Sequence, residues 1–553
     1  MSTRRMKLRI PTRLRGPAAL ALIAAVAGCQ DLHVVNLNNP DRGRALANKG
    51  DVESLIATSW TEYWGSTNGS TSTNHLTRNI PLSGWGSEGT GTFANWEFLA
   101  FIGQPRIAFD NAPTSAMTET ARFHWQALYS GLSSANEGLA MIAQGLSLDD
   151  DDSHGPMTIR AQAFAKFVQG LMHGYIGLLF DRGWIFTEED ALDIEGYLDS
   201  DRSEFVPYTE VLEQAIRSMK EAIAIAEANS FTLPGWIWNA NLTNEDLVKL
   251  AYSFMARFRV YGARTPAERA ALDWNEVMRY VENGITEDFA IDVTDFSTSG
   301  YRYYALRTAS FSMWADYLLI GPADISGSYQ AWLQTPLWER TPFDIVTPDR
   351  RITGVDEEGA PDPLAEGKYF THTSNLGLLS SNPERGPYLI SNYRFWRWRS
   401  GKPASDDSYY RRAPLTVMTV DEMNLILAEA HLRLGNVDRA VELVNRTRVA
   451  NGELPPATAA GVSGPDCVPR MRDGSCADLL NTLMYERMIE GALLESSRTW
   501  LDSRGFGRLI EGTPLHLPVP GRELENLMME YYTFGGIGGE WTSTYAGGEA
   551  HLH

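Results

Sequence analysis

The chain has 553 residues, 43% apolar and 11% aromatic, which is enough to bury a large core and more than one compact domain usually needs. Acidic residues outnumber basic ones by 69 to 48, for a net charge of −21. An acidic balance of that size repels phosphate backbones and anionic lipid headgroups, so nucleic acid is excluded as a partner.

The N-terminus carries the first signal. Arg4, Arg5, Lys7, Arg9, Arg13 and Arg15 precede an apolar run over residues 17–28, which closes on Val26-Ala27-Gly28-Cys29. About a dozen apolar residues fall well short of the roughly 20 that cross a bilayer as a helix. The spacing is that of a bacterial lipoprotein signal: residues 1–28 are expected to be removed and Cys29 acylated, leaving the chain tethered to a membrane outside the cytoplasm. Cleavage takes six basic residues and no acid with it, so the mature chain holds 42 basic against 69 acidic residues, a net charge of −27. Residues 29–43 read as a polar, turn-rich linker leading away from the lipid.

Residues 65–97 are rich in Gly, Ser, Thr and Asn, with Trp85 and Trp96 among them. They lack helical periodicity, and their aromatics argue against disorder. Asp149 to Asp152 with His154 lack the positioned glycine and terminal glutamate of a calcium loop, so a solvated loop is expected. From residue 160, Ala163, Phe164, Phe167, Val168, Leu171, Met172, Tyr175, Ile176 and Leu179 step by three and four, which predicts a helix with one buried face. Gly170 and Gly174 on it provide a small surface for close helix packing. Further helices are expected over 208–228, 244–261 and 274–284.

A second long stretch, 296–415, again mixes Gly, Ser, Thr, Pro and aromatics without helical period. Within it Trp396, Arg397 and Trp398 alternate as in a strand, which would put both indoles on one face. Helices follow over 421–434 and 437–450 as a hairpin, with Thr419 and Glu422 at capping-box spacing and Gly435 placed to end the first in a left-handed conformation. Ala428, Leu434-Gly435 and Ala440 resemble the small contacts of a tetratricopeptide unit, although no clean 34-residue period runs through the chain. With Cys29 committed to lipid, Cys467 and Cys476 remain, and a disulfide closing their Pro- and Gly-flanked loop is expected. A metal or redox pair would need closer spacing and a nearby histidine. No GxSxG elbow, HExxH helix or P-loop is present, so no catalytic residue, metal or cofactor is assigned.

Several blocks in order carry a family resemblance. The lipobox, DLHVVNLNNP at 31–40, DVESLIATSW at 51–60, RAQAFAKFVQGLMHGYIGLLFDRGW at 160–184, LILAEAHLRLGNVDRAVELVNRTR at 425–448, YERMIEGALLESSRTWLDSRGFGRL at 485–509 and HLPVPGRELEN at 516–526 resemble the SusD/RagB family. The chain departs from the family pattern at Phe180-Asp181-Arg182-Gly183-Trp184, and Glu495 and Arg498 fall one place late, with Ser496 in place of glycine. The resemblance implies a mostly α fold, in which divergent tetratricopeptide-like hairpins form a superhelical scaffold with long loop-rich insertions. Residues 44–553 would make one binding unit, with helical repeats at about 120–290 and 419–511 and insertions at about 65–97 and 296–415. It further implies an outer-membrane, lipid-anchored protein, facing the cell exterior, that captures a nutrient and lids a TonB-dependent SusC/RagA-like transporter.

An oligosaccharide ligand is expected first and a peptide second. A hydroxylated polymer needs flat apolar faces for its C–H side and polar groups for its hydroxyls. The loops offer Trp85, Trp96, Tyr301, Tyr303, Tyr304, Trp314 and Trp332 for contact. The alternative is a surface-anchored glycoside hydrolase, which needs two carboxyl groups flanking the scissile bond, one with a raised pKa. No local motif marks such a pair.

Overall fold

The computed structural model describes residues 49–69, 79–93, 97–148, 151–237, 240–291, 313–376, 382–398 and 415–544. Cys29, the signal and the linker lie outside the described residues, as do Trp96, Tyr301, Tyr303 and Tyr304.

Helices α1 (Lys49–Thr58) and α2 (Trp60–Thr67) pack on α5 (Thr118–Ala143), after the two short helices α3 (Ile80–Trp85) and α4 (Phe98–Ile102). The period read from residue 160 becomes α6 (Met157–Leu179), which packs on α5, on α7 (Tyr208–Glu227) and on α8 (Asn244–Gly262). Its two glycines allow that closeness. A Cβ on Gly170 would lie 2.8 Å from Met219 of α7, and one on Gly174 would lie 2.1 Å from Phe258 of α8. The stack continues through α9 (Trp274–Glu282) to the hairpin of α10 (Val420–Arg433) and α11 (Val437–Ala450), then to α12 (Leu479–Gly491) and α13 (Arg498–Gly505). The fold is mostly α, and among the described residues every sheet is a two-stranded antiparallel pair.

The hairpin punctuation is half as expected. Thr419 accepts the Glu422 N–H at 3.0 Å, and Gly435 has φ +81° beyond the end of α10. The Glu422 carboxylate does not return to the cap. It turns inward to Arg257 at 2.5 Å and to the Tyr261 hydroxyl at 2.6 Å.

The described part of the 313–398 insertion has a core of its own. Tyr317, Leu319, Tyr329, Trp332, Ile345, Ile352, Phe370, Tyr393 and Phe395 pack with Ile80 from the first loop region, with Phe98 and Ile102 of α4, and with Tyr485 and Ile489 of α12. The strand Tyr393–Phe395 stops before Trp396, and Trp398 has φ +69°, so the expected alternation fails. The Trp396 indole N–H donates to Glu366 and that of Trp398 to the Ala492 carbonyl, two different elements.

Buried charges cross-brace this frame. One network joins Arg257, Glu422, Arg498 and Glu495. A second joins Arg269, Glu429, Arg487 and Asp502. The third centres on Arg351 with Asp349, Glu486 and Glu490.

His173 of α6 is a buried titratable group of another kind. It is fully buried; its Nδ1 lies 3.0 Å from the Gln169 carbonyl, and its Nε2 accepts the Phe186 N–H at 3.3 Å, which fixes the neutral ring. Burial pushes its pKa down to about 4. In the unfolded chain a histidine takes its proton near pH 6.5, so stability is complete above that pH and is lost as pH falls from about 6.5 to about 4. The gap corresponds to about 3 kcal/mol. Urea midpoints at pH 7.5, 5.5 and 4 are expected to show this slope in the wild type and a flatter one in His173→Gln. Parallel slopes would contradict the assignment.

Candidate functional site

Trp85 does not reach solvent, which corrects the expectation that it contacts ligand. It ends the six-residue helix α3 and is 2% exposed, packed against Phe101 at 4.7 Å, Trp500 at 5.1 Å and Phe109 at 5.9 Å. Gly84 lets α3 close on Ile102, and Gly86 lets it lie against the Thr499–Trp500 backbone, so these two glycines serve close packing rather than exposure. Trp314 is 8% exposed in a two-residue strand, Trp314–Ala315, whose partner is Gly89–Thr90. Trp332 is 6% exposed, near Tyr317 and Tyr329, with the Arg340 guanidinium over its ring at 4.4 Å. Neither leaves an open ring face, and Trp332 is part of the insertion's own core. Cys467 and Cys476 form the expected disulfide, and Arg470 N–H donating to the Pro322 carbonyl at 2.7 Å holds that loop to the insertion.

A different indole stands in the open. Trp338 is 61% exposed, on a single 3₁₀ turn (Leu337–Glu339) that follows Pro336. Arg340 ties the turn down, donating to the Thr335 carbonyl at 3.0 Å and the Leu333 carbonyl at 2.9 Å while covering Trp332. The Trp338 ring meets Tyr388 edge to face at 5.6 Å. Tyr388 sits in a second 3₁₀ turn, Pro387–Leu389, and its hydroxyl accepts the Gln104 N–H at 3.0 Å. Beside it, Arg385 donates to the Thr92 carbonyl at 3.0 Å and the Asn382 N–H donates to the Thr92 hydroxyl at 3.0 Å. Trp338 therefore marks a ledge where the first loop region meets the insertion, with guanidinium and amide groups nearby. Residues 335–342 (TPLWERTP) place a tryptophan between two prolines with no helical or strand face to bury it. The reasoning applied to Trp85 identifies Trp338 when carried six residues beyond Trp332.

Behind the ledge, burial raises the Asp316 carboxyl to about 6, opposed by the Leu318 N–H it accepts and by the charges of Arg106 and Arg340. The carboxylates of the three networks are not available for hydrolysis. Asp349, Glu422, Glu429, Glu486, Glu490, Glu495 and Asp502 are each 3% exposed or less, and each faces an arginine. Four of them, Glu486, Glu490, Glu495 and Asp502, lie in the 485–509 block, so that signature builds the frame. Ser374, His372 and Asp344 form a hydrogen-bonded chain, with the His372 Nδ1 also accepting the Ser374 backbone N–H at 3.1 Å. That is a two-residue turn, not a serine held free for attack. Among the described residues no group of His, Cys, Asp and Glu is arranged to hold a metal ion.

Residues 292–504 match the sequence model of the SusD family. No curated protein matches the chain. A SusD superfamily protein from Bacteroides vulgatus ATCC 8482 is 14% identical over 87% of this chain and 97% of its own, with a TM-score of 0.53. One from Bacteroides thetaiotaomicron VPI-5482 is 13% identical over 87% and 97%, with a TM-score of 0.51. At such identities the likeness is one of fold. Over residues 292–504 the chain is similar in sequence to the SusD family, and its fold is shared with these two SusD superfamily proteins.

Proposed function

We propose that this protein is a lipid-anchored outer-membrane receptor that captures an oligosaccharide outside the cell, does not cleave it, and lids a TonB-dependent transporter. The observation that carries the ligand reading is Trp338, an indole 61% exposed on a braced turn among polar groups. An exposed ring face of that kind suits the C–H side of a sugar. Trp96, Tyr301, Tyr303 and Tyr304 remain proposed contacts on the same grounds as before. Acylation of Cys29 supplies the anchor in this reading; no helix of the described residues is long and apolar enough to cross a membrane.

A partner surface is proposed as well. Ile107, Met528, Met529, Tyr531, Ile537 and Trp541 are 45% to 95% exposed, and the bridge between Ala108 and Gly535 joins the two segments that carry them. Exposed apolar groups gathered in this way mark a surface that a partner covers, here assigned to the transporter.

The test is a panel of oligosaccharides and peptides measured for both binding and turnover. Trp338→Ala is expected to weaken oligosaccharide binding by about 1–3 kcal/mol with an unchanged melting temperature, because most of the ring is already in solvent. Hydrolysis by the wild type would favour the glycosidase. Binding of longer peptides that Trp338→Ala weakens, without oligosaccharide binding, would move the cargo to the second class, and unchanged affinity in the variant would remove Trp338 from the site.

A further inference from the structure

At the N-terminal end of α5 the chain forms an open cavity of about 380 Å³, lined by Pro113, Thr114, Arg122, Gln126, Arg522, Glu523, Glu525 and Asn526. That volume lies in the range of small-ligand pockets, roughly 300–1,000 Å³. Its wall is unlike the ledge at Trp338: it has no aromatic ring, and Pro113 is the single apolar residue in it. Sugar stacking and apolar ligands are both poorly served.

What the wall offers is charge of both signs. Arg522 is fixed by its Nε, which donates to the Pro113 carbonyl at 3.2 Å, and its two outer nitrogens have no partner among the described residues. Glu119 lies 3.8 Å from that Nε but is engaged by Arg122, which donates to it through its Nε at 3.0 Å. Arg122 also donates to the Gln126 amide oxygen at 3.3 Å, leaving the Gln126 N–H groups for a ligand. Glu523 is half-buried and has no hydrogen bond or ion pair through its side chain among the described residues; burial holds its carboxyl above the usual range. Glu525 beside it is exposed. A half-buried carboxylate without a counterion is costly and invites a cation. An arginine with two free outer nitrogens invites a carboxylate.

We propose that this pocket binds a small zwitterion, such as a free dipeptide, with its ammonium group at Glu523 and its carboxylate at Arg522. A simple anion would meet Glu523 and Glu525, and a simple cation would meet Arg522. Only a ligand carrying both charges satisfies both ends. The site does not depend on the oligosaccharide reading, since it shares no residue with the Trp338 ledge.

The experiment is calorimetric titration of the whole mature protein with alanylalanine, with its N-acetylated form and with its C-terminal amide. Binding of the free dipeptide is expected, with each cap weakening it at least tenfold. Glu523→Gln should bind the free and acetylated forms alike, and Arg522→Ala should bind the free and amidated forms alike. Both variants should keep wild-type oligosaccharide binding, so failure of one reading leaves the other standing. No binding of alanylalanine, equal binding of the free and capped forms by the wild type, or wild-type affinity in both variants would overturn the proposal. The wild-type comparison of capped and free peptide decides the matter even if a variant fails to fold.

Discussion

Arg351→Met is expected to lower stability by about 3–5 kcal/mol, enough to unfold a marginal protein. Arg351 is fully buried, and its guanidinium contacts Asp349 at 2.7 Å, Glu486 at 2.6 Å and Glu490 at 2.9 Å. Arg448 stands 3.8 Å from Glu486 and Arg397 stands 3.1 Å from Glu490, so three cations face three carboxylates. Burial alone would raise the Asp349 carboxyl, but the charge and hydrogen bonds of Arg351 hold it below its ordinary value. Methionine fills much of the same space and removes one of the three cations, leaving a buried negative charge uncompensated. Residues 349 and 351 belong to the insertion, whereas Glu486 and Glu490 belong to α12, so the loss acts where the ligand-bearing loops join the helical frame. Guanidinium denaturation of the single variant, of Glu486→Gln and of the double variant tests this. The double variant is expected to be more stable than the sum of the two single losses, since removing a carboxylate relieves what the arginine left behind. A loss below about 1 kcal/mol for Arg351→Met would show that the network contributes little.

Trp85→Ala is expected to cost about 3–5 kcal/mol of stability, the range for emptying a buried aromatic site. Phe101, Phe109 and Trp500 surround the indole, and they belong to a short helix, a loop and α13 that cannot all collapse inward together. The two tryptophan variants therefore separate by observable. Trp85→Ala should lower the melting temperature while the folded fraction keeps its affinity, and Trp338→Ala should do the reverse. Weakened binding by Trp85→Ala at full stability would restore Trp85 to the ligand site.

Much of the frame was legible because its cause is local. The helices expected over 160–179, 208–228 and 244–261 were found as Met157–Leu179, Tyr208–Glu227 and Asn244–Gly262, since apolar residues at three- and four-residue steps must share one face of a helix. The 437–450 helix matches at both ends, and Gly435 adopts the left-handed turn that lets its predecessor stop. The pairing of Cys467 with Cys476 followed from counting thiols once Cys29 was assigned to lipid.

The tertiary structure decided which polar and aromatic side chains are buried. Trp85, Trp314 and Trp332 lie in segments without helical period, as Trp338 does, yet they are 2%, 8% and 6% exposed where Trp338 is 61% exposed. Glu422 stands at capping-box spacing, but its carboxylate goes to Arg257 and Tyr261. The half-buried Glu523 and the open end of Arg522 become a pocket only because α5 brings Arg122 and Gln126 against them. The physical reason is common to all of these. Backbone period and capping depend on neighbours within about four residues, which the sequence displays. Burial and charge pairing depend on partners from remote parts of the chain, such as Trp500 for Trp85 and Arg257 for Glu422, whose approach is fixed only when the whole core closes.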